Sequence, residues 1–211
     1  MPDLTEKLNN VSIIYVTRNI ERALGLSSEF ENFHIVANAS SYARKKQNSK
    51  KNVTLIDKDG KLSTWKLLRQ NKTRRIINEL GGKIVVFKNT KQIQRECNKH
   101  SWELLNPKPK IINQVEQKIS QVKWLEELTE FLPELEIKKC KNIEHQGENF
   151  ILQFNRAHTG SGTMLIENKK RLTKIKEKFP NRPARITEFI KGKVYTLNCI
   201  VGSEKIYTSS P

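Results

Sequence analysis

A loop of small, polar and cationic residues is the part of this sequence best suited to chemistry. It lies between two apolar runs, 150–154 and 164–166, which predict two strands. Glycines let the loop backbone turn its N–H groups towards an anion, and hydroxyl and guanidinium groups are good donors to phosphate. We therefore predict that the loop lies over a polyphosphate. Its residues are Asn155, Arg156, Ala157, His158, Thr159, Gly160, Ser161, Gly162 and Thr163.

A plain β-hairpin turn is the alternative interpretation, since Gly-Ser-Gly commonly joins two strands. The loop is not a P-loop, because no Gly-Lys-Ser or Gly-Lys-Thr follows it and a strand comes next in place of a helix. The same order of elements excludes a Rossmann dinucleotide motif. His158 also has two interpretations, a phosphate contact or an exposed loop histidine. The loop alone leaves these alternatives open.

The composition predicts a globular protein with an anionic partner. The 211 residues are 36% hydrophobic and 29% charged, and the net charge is +17. That charge fits a nucleotide, a nucleic acid or a membrane surface, but the lysines are scattered, as on an ordinary solvated surface. No run approaches the roughly 18 apolar residues of a membrane span, and the N-terminus lacks the apolar core of a signal peptide. Three widely spaced cysteines, Cys97, Cys140 and Cys199, fit reduced thiols in the cytoplasm.

The first half alternates strands and helices, which predicts an α/β unit with a parallel sheet. Strands are expected at 11–17, 33–37, 53–56 and 83–88, and helices at 20–26, 62–80 and 92–100. Residues 43–52 are expected to form a solvated linker. The helix 62–80 is the best nucleic-acid candidate, although a solvated helix face is the default. Its cations are Lys66, Arg69, Lys72, Arg74 and Arg75.

The second half predicts an α+β unit with an antiparallel sheet. The prolines within 106–109 break any helix and mark a boundary. Apolar spacing then predicts one long helix over 111–132. A short strand at 136–141 and a helix at 169–179 flank the hairpin. Strands are then expected at 184–190, 194–201 and from 205 onwards. Cys199 falls within one of them, where a small core side chain is expected.

This order of elements resembles the ATP-grasp superfamily over residues 11–208. The segments that carry the resemblance are Glu116-Gln117-Lys118-Ile119, the hairpin FILQFNRAHTGSGTMLI, and Ile186-Thr187-Glu188-Phe189-Ile190-Lys191-Gly192. It implies an α/β Rossmann-like N-terminal domain followed by an α+β ATP-grasp subdomain with an antiparallel sheet. The expected boundaries are 1–105 for the first domain, 106–146 for a linker helix region, and 147–211 for an incomplete glycine-rich-loop subdomain.

The resemblance implies that ATP is held with its phosphates under the glycine-rich loop and its adenine beside a hinge. Family members typically use ATP and Mg²⁺ to activate a carboxylate as an acyl phosphate, which an amine or thiol then attacks. The carboxylate and the nucleophile are not identified by the sequence. The nucleotide-binding residues implied are Lys118, Gln153, Arg156, Ala157, His158, Thr159, Gly160, Ser161, Gly162, Thr163, Glu188, Phe189 and Ile190.

Three departures from the family pattern limit this expectation. Gln153 stands where many members have a lysine, so Arg156 or Lys118 would have to supply the charge. Val194 and Tyr195 replace an acidic residue after the hinge. The family's metal ligands lie on later strands, so we expect them outside this chain and assign no metal ligand and no catalytic residue. Two alternatives remain, a nucleotide-binding module without catalysis and a nucleic-acid-binding protein that uses the 62–80 helix.

Overall fold

Two four-stranded sheets form the framework of the protein, one in each of two units. The units are Met1–Val115 and Glu116–Pro211. The computed structural model describes residues 11–24, 32–47, 52–156, 162–197, 199–201 and 204–208.

The sheet of the first unit is parallel, as its continuous apolar strands predict. Its strand order is β3-β2-β1-β4, so β1 and β2 are central and buried on both faces. The chain places β2 and β3 on one side of β1 and then crosses over to place β4 on the other side. The strands are β1 (Ile13–Thr17), β2 (Phe33–Asn38), β3 (Val53–Ile56) and β4 (Lys83–Val86).

Side chains that alternate along these strands enter two cores, one on each face of the sheet. Ile14 and Val16 are fully buried in the same cluster as Leu68. Ile35 enters the other cluster with Ala43. The three-layer α/β arrangement predicted from the sequence is therefore confirmed. The helices are α1 (Ser41–Gln47), α2 (Thr64–Leu68), α3 (Asn71–Leu80), α4 (Lys91–Lys99) and a short 3-10 helix at Ile20–Ala23.

Two predictions for this unit were wrong. Residues 43–47 belong to α1 and not to a solvated linker, because Ala43 is fully buried against the sheet. The expected helix 62–80 is two helices that separate at Arg69 and Gln70. Since 3.6 residues make one turn, Leu68 and Ile77 would lie on opposite sides of a straight helix, yet both are buried in the same core.

The second unit contains a four-stranded antiparallel sheet in the order β5-β8-β6-β7. The predicted hairpin is confirmed, with β6 and β7 paired from Phe150 opposite Ile166 to Gln153 opposite Thr163. One face packs against α7 through a core that includes Leu152. The elements are α5 (Pro109–Glu116), which begins in the first unit, then α6 (Lys118–Leu125), β5 (Leu135–Lys139), β6 (Phe150–Phe154), β7 (Thr163–Ile166), α7 (Lys169–Lys178), β8 (Pro183–Glu188), β9 (Cys199–Val201) and β10 (Ile206–Thr208), with 3-10 helices at Glu126–Phe131 and Cys140–Asn142.

The long helix predicted over 111–132 is broken twice. Gln117 has extended backbone angles between α5 and α6, and Glu126 has a φ of 48°, in the left-handed region. The first break coincides with hydrogen bonds that draw the start of α6 to Asn155 at the end of β6. Apolar periodicity continues across the break, so the sequence did not reveal it.

The strand expected over 194–201 was also wrong. β8 lies between β5 and β6 and has no free edge for a following strand to join. Among the described residues of 194–201, Cys199–Val201 forms a strand, and it pairs with β10 in a separate two-stranded sheet. The preceding side chains are exposed, Val194 at 94% and Tyr195 at 71%. Cys199 is exposed and not a core residue.

The three cysteines should therefore differ in reactivity. Cys97 and Cys140 are fully buried, and burial raises the pKa of the Cys97 thiol to about 11. We expect Ellman's reagent at pH 8 to label one thiol rapidly in the native protein and the other two only after unfolding. Cys199→Ser should abolish the rapid phase. Rapid labelling of more than one thiol in the native wild-type protein would contradict this burial.

Candidate functional site

The outer face of the antiparallel sheet lines a cleft of about 690 Å³. One end of the cleft is apolar, with Leu132, Pro133 and Ile190 among its walls, whereas the other end carries amide, hydroxyl and guanidinium groups. The residues that line it are Leu132, Pro133, Leu135, Ile151, Gln153, Thr163, Arg185, Thr187, Glu188, Phe189, Ile190 and Val194. An amphipathic cleft of this size suits a small ligand with an apolar part and an anionic part.

Strand register explains which side chains share this face. Gln153 lies directly opposite Arg185 on β8 and Thr163 on β7, and Ile151 lies opposite Thr187. Directly opposed residues point to the same side of a sheet, so all five face the cleft. Their neighbours along each strand face the core.

A chain of side-chain hydrogen bonds crosses three strands at the polar end. Arg185 donates to Gln153 Oε1 from Nε at 2.9 Å and from Nη2 at 2.5 Å. Gln153 Nε2 then donates to Thr163 Oγ1 at 3.1 Å. Because arginine has no acceptor atom, the amide oxygen of Gln153 must be the atom that faces it. The network thereby settles the orientation of the amide.

Arg185 is a buried cation without a carboxylate partner. Its exposed fraction is 9%, and none of the ion pairs formed by the described residues includes it. Burial lowers the pKa of its guanidinium, since desolvation disfavours the charged form. An arginine nevertheless stays protonated, so the charge persists and attracts an anion.

The segment that follows β8 forms the other end of the cleft. Glu188 is the last residue of the strand and is exposed, and Phe189 and Ile190 follow it with exposed fractions of 37% and 62%. A planar ring can pack on such apolar side chains, while the Glu188 carboxylate can accept a hydrogen bond from an amino group. The cleft thus combines a site for a flat, hydrogen-bonding group with a site for an anion.

Several of the residues expected to bind a nucleotide come together here. Gln153, Thr163, Glu188, Phe189 and Ile190 all line the cleft. Arg156 is exposed just after β6, and the buried Gly162 accepts a hydrogen bond from the Phe154 amide at 2.9 Å. The remaining loop residues, Ala157, His158, Thr159, Gly160 and Ser161, lie outside the described residues.

Lys118 occupies the first position of α6, beside the end of β6. Its backbone N–H donates to the Asn155 carbonyl at 3.3 Å, and the N–H of Ile119 donates to Asn155 Oδ1 at 2.9 Å. Asn155 Nδ2 in turn donates to Gln117 Oε1 at 3.0 Å. Asn155 therefore acts as a cap for a helix far away in sequence and ties the start of α6 to the strand that leads into the loop.

Comparison with known proteins identifies the fold. No protein-family model and no curated protein matches the sequence. Among solved structures, the biotin carboxylase domain of Hydrogenobacter thermophilus 2-oxoglutarate carboxylase, with MgADP, ADP and bicarbonate, matches 85% of this chain and 44% of its own at 14% identity and a TM-score of 0.57. Bacillus licheniformis L-amino acid ligase matches 95% of this chain and 49% of its own at 11% identity and a TM-score of 0.58.

N5-carboxyaminoimidazole synthase from Aspergillus clavatus, with ADP and 5-aminoimidazole ribonucleotide, gives a TM-score of 0.56 at 11% identity over 94% of this chain and 52% of its own. These are ATP-grasp proteins. The chain has the ATP-grasp fold. It spans about half the length of these ATP-grasp structures or less.

The contacts of two residues, Arg185 and Asn155, were not predicted from the sequence. Arg185 lies in the predicted strand 184–190, two residues before Thr187. Residues two apart in a strand face the same side of the sheet, and this polar spacing was the signal that Arg185 faces away from the core. Its contact with Gln153 was not predictable, because it depends on which strands pair. Asn155 was assigned to the loop, whereas its side chain caps α6.

Several cations of the basic segment 62–80, the nucleic-acid candidate, form ion pairs with carboxylates of the protein itself. Arg74 pairs with Glu96 at 2.8 Å, and Arg69 lies 3.5 Å from the same carboxylate. Arg75 pairs with Glu79 at 2.6 Å on the helix surface. These contacts favour a structural use of the cations over phosphate contacts.

No group of three or more His, Cys, Asp and Glu side chains in the described ranges could hold a metal ion. The same ranges contain no helix with the length and apolar character of a membrane span.

The Asn155 cap leads to a direct test of how the loop strand is held. Asn155→Ala should remove two side-chain hydrogen bonds and destabilise the start of α6 by about 1–2 kcal/mol. We expect amide hydrogen exchange of residues 118–122 to become about 5–30 times faster. Asn149→Ala, at an exposed asparagine of the same unit, is the matched control. Unchanged exchange in Asn155→Ala would show that the cap does not hold the helix.

Proposed function

We propose that residues 116–211 bind ATP in the cleft beside β6 and β8, as the nucleotide-binding part of an ATP-dependent ligase. The observation that carries the proposal is the joint presence, in an ATP-grasp fold, of an apolar hinge end and an unpaired buried guanidinium in one cleft. The fold alone does not determine function, whereas the side chains of the cleft determine which ligand it can bind.

The two ends of the cleft suit the two ends of ATP. Phe189 and Ile190 provide apolar surface for adenine, and the Glu188 carboxylate can accept a hydrogen bond from its amino group. We propose that the phosphates lie towards Gln153 and Thr163, under the loop that contains Arg156, Ala157, His158, Thr159, Gly160, Ser161 and Gly162. Lys118 begins α6, whose first amides bond to Asn155 beside that loop, and we propose that it also contacts the nucleotide.

The proposed reaction is activation of a small-molecule carboxylate by phosphoryl transfer, followed by attack of an amine or thiol. Positioning and neutralisation of charge are the main protein contributions to phosphoryl transfer, and a cationic cleft supplies both. The solved ATP-grasp structures include complexes with ADP and MgADP. We propose that Mg²⁺ takes part here as well, with ligands outside this chain.

We also propose domain boundaries and a cytoplasmic location for this protein. Residues 1–105 would form the pre-ATP-grasp domain, residues 106–146 the linker region, and residues 147–211 the glycine-rich-loop subdomain. Free cysteines at positions 97, 140 and 199 fit a reducing cytoplasm.

Binding of ATP can be separated from general attraction of anions to this basic protein. Isothermal titration of the full 211-residue chain should detect ATP with magnesium. Saturation at about 100 times the Kd should raise the free energy of unfolding by about 2.7 kcal/mol. Glu188→Ala should weaken ATP about tenfold through the lost hydrogen bond, although it makes the protein more positive.

Glu127→Ala, at an exposed glutamate outside the cleft, makes the same change in net charge and is the matched control. We expect its ATP affinity to stay within about twofold of the wild type. Inorganic triphosphate should bind the wild type and Glu188→Ala equally, because it has no adenine. If the wild type showed no ATP binding, or if both glutamate variants bound ATP equally well, the proposal would be wrong.

A further inference from the structure

The uncompensated charge of Arg185 is a feature that the packing of the protein does not explain. Breaking or omitting the partner of a buried charge is costly, and a hydrophobic residue of similar volume is often at least as stable in such a place. Here the hydrogen-bond partner is Gln153, a neutral amide, and the Glu188 carboxylate of the same cleft forms no ion pair with Arg185. The position is therefore poor for stability and needs a functional reason.

Donors remain available on the guanidinium. Arginine has five N–H groups, and Gln153 Oε1 accepts from Nε and Nη2. The Nη1 group forms no hydrogen bond with any part of the chain that the structure describes. Two parallel N–H groups held at one edge leave the rest of the planar fork facing the cleft, in a geometry that matches the oxygens of a phosphate.

Hydrogen bonds at both the oxygen and the nitrogen of its amide fix the side chain of Gln153. Its Oε1 accepts both N–H groups of the arginine, and its Nε2 donates to Thr163 Oγ1. The amide cannot rotate without the loss of all three hydrogen bonds. It fixes the plane of the guanidinium without neutralising its charge, which a carboxylate at the same position would do.

The other cations near the cleft are placed differently. Arg182 lies 3.9 Å from the centre of the Phe154 ring, on the core side of the sheet. Arg156 is exposed after the end of β6, and Lys118 is on a separate helix. Arg185 is the cation whose side chain lines the cleft within the described residues.

We propose that Arg185 is the residue that binds a phosphate of the nucleotide, and that Gln153 is a positioning residue that aims its guanidinium into the cleft. The positive charge expected on β6 is thus supplied from the neighbouring strand β8. This inference rests on the proposed function, since it assigns roles within the same ATP site. In this proposal Arg185, and not Arg156 or Lys118, supplies the charge that Gln153 lacks.

The test uses the full chain and compares two ligands, ATP and adenosine, by isothermal titration. Arg185→Gln should weaken ATP at least about tenfold and leave adenosine within about twofold of the wild type. Arg171→Gln makes the same charge change on the exposed surface of α7 and should alter neither affinity by more than about twofold. An unchanged ratio of ATP to adenosine affinity in Arg185→Gln would overturn the proposal.

Gln153→Glu distinguishes ligand binding from a structural role, because the two predict different results. The new carboxylate would be nearly the same shape and would pair with Arg185, so the protein should unfold at an equal or higher temperature. If Arg185 binds phosphate, ATP should bind at least about tenfold more weakly in this variant. A stable Gln153→Glu protein with wild-type ATP affinity would contradict the proposed role.

An exchange of the two side chains makes a third test. The double variant Gln153→Lys/Arg185→Gln returns the charge to β6 and should recover ATP affinity to within about threefold of the wild type. This variant also decides the matter if Arg185→Gln alone fails to fold. Failure of the folded double variant to bind ATP better than Gln153→Glu would count against the proposal.

The same measurements separate this inference from the function on which it depends. A wild-type protein that bound neither ATP nor adenosine would overturn both. A wild-type protein that bound both ligands, with an ATP preference unaffected by Arg185→Gln and Gln153→Glu, would leave the ATP site in place and overturn only the assignment of Arg185 and Gln153.

Discussion

The pairing of β6 with β8 is the constraint on which the second unit depends. Its register places Gln153 opposite Arg185 and Leu152 opposite Ile186. Because side chains alternate along a strand, the first pair faces the cleft and the second faces the core. A slip of one residue would set an apolar core residue of β6 opposite Arg185, so that either this side chain would face the cleft or the guanidinium would enter the apolar core. Burial of the core side chains therefore also positions the charge of the cleft.

Charge has different roles in different parts of this basic protein. Surface cations form exposed pairs such as Arg171 with Glu167 and Lys83 with Glu103, and pairs of this kind contribute little to stability. The chain has 39 Lys and Arg against 22 Asp and Glu, and the resulting net charge of +17 attracts anions of every kind without selecting among them. Arg185 differs because it is buried and held by a neutral partner. Such a cation can discriminate between ligands, whereas the surface charge mainly raises the rate of encounter.

The linker and the loop strand are joined through one side chain. Asn155 follows β6 and caps α6, so the chain that enters the glycine-rich loop is attached to the helix that begins with Lys118. That attachment also explains why the helix breaks at Gln117, since the amides at the start of α6 turn towards the sheet to reach their acceptors. A local departure from helical geometry here results from a contact between residues that are distant in sequence.

The sequence by itself determined the elements whose signals are local. Apolar runs and alternation predicted the parallel sheet, the 150–166 hairpin and the helix after it, and the order of these elements was enough to indicate the ATP-grasp fold. The sequence also indicated Gln153, Thr163 and Glu188 as candidate site residues, and all three line the cleft. Tertiary structure alone decided what depends on strand order and burial. The interior position of β8 excluded a strand at Val194, and its pairing with β6 brought Arg185 to Gln153, because neither neighbour relationship is encoded within a window of consecutive residues.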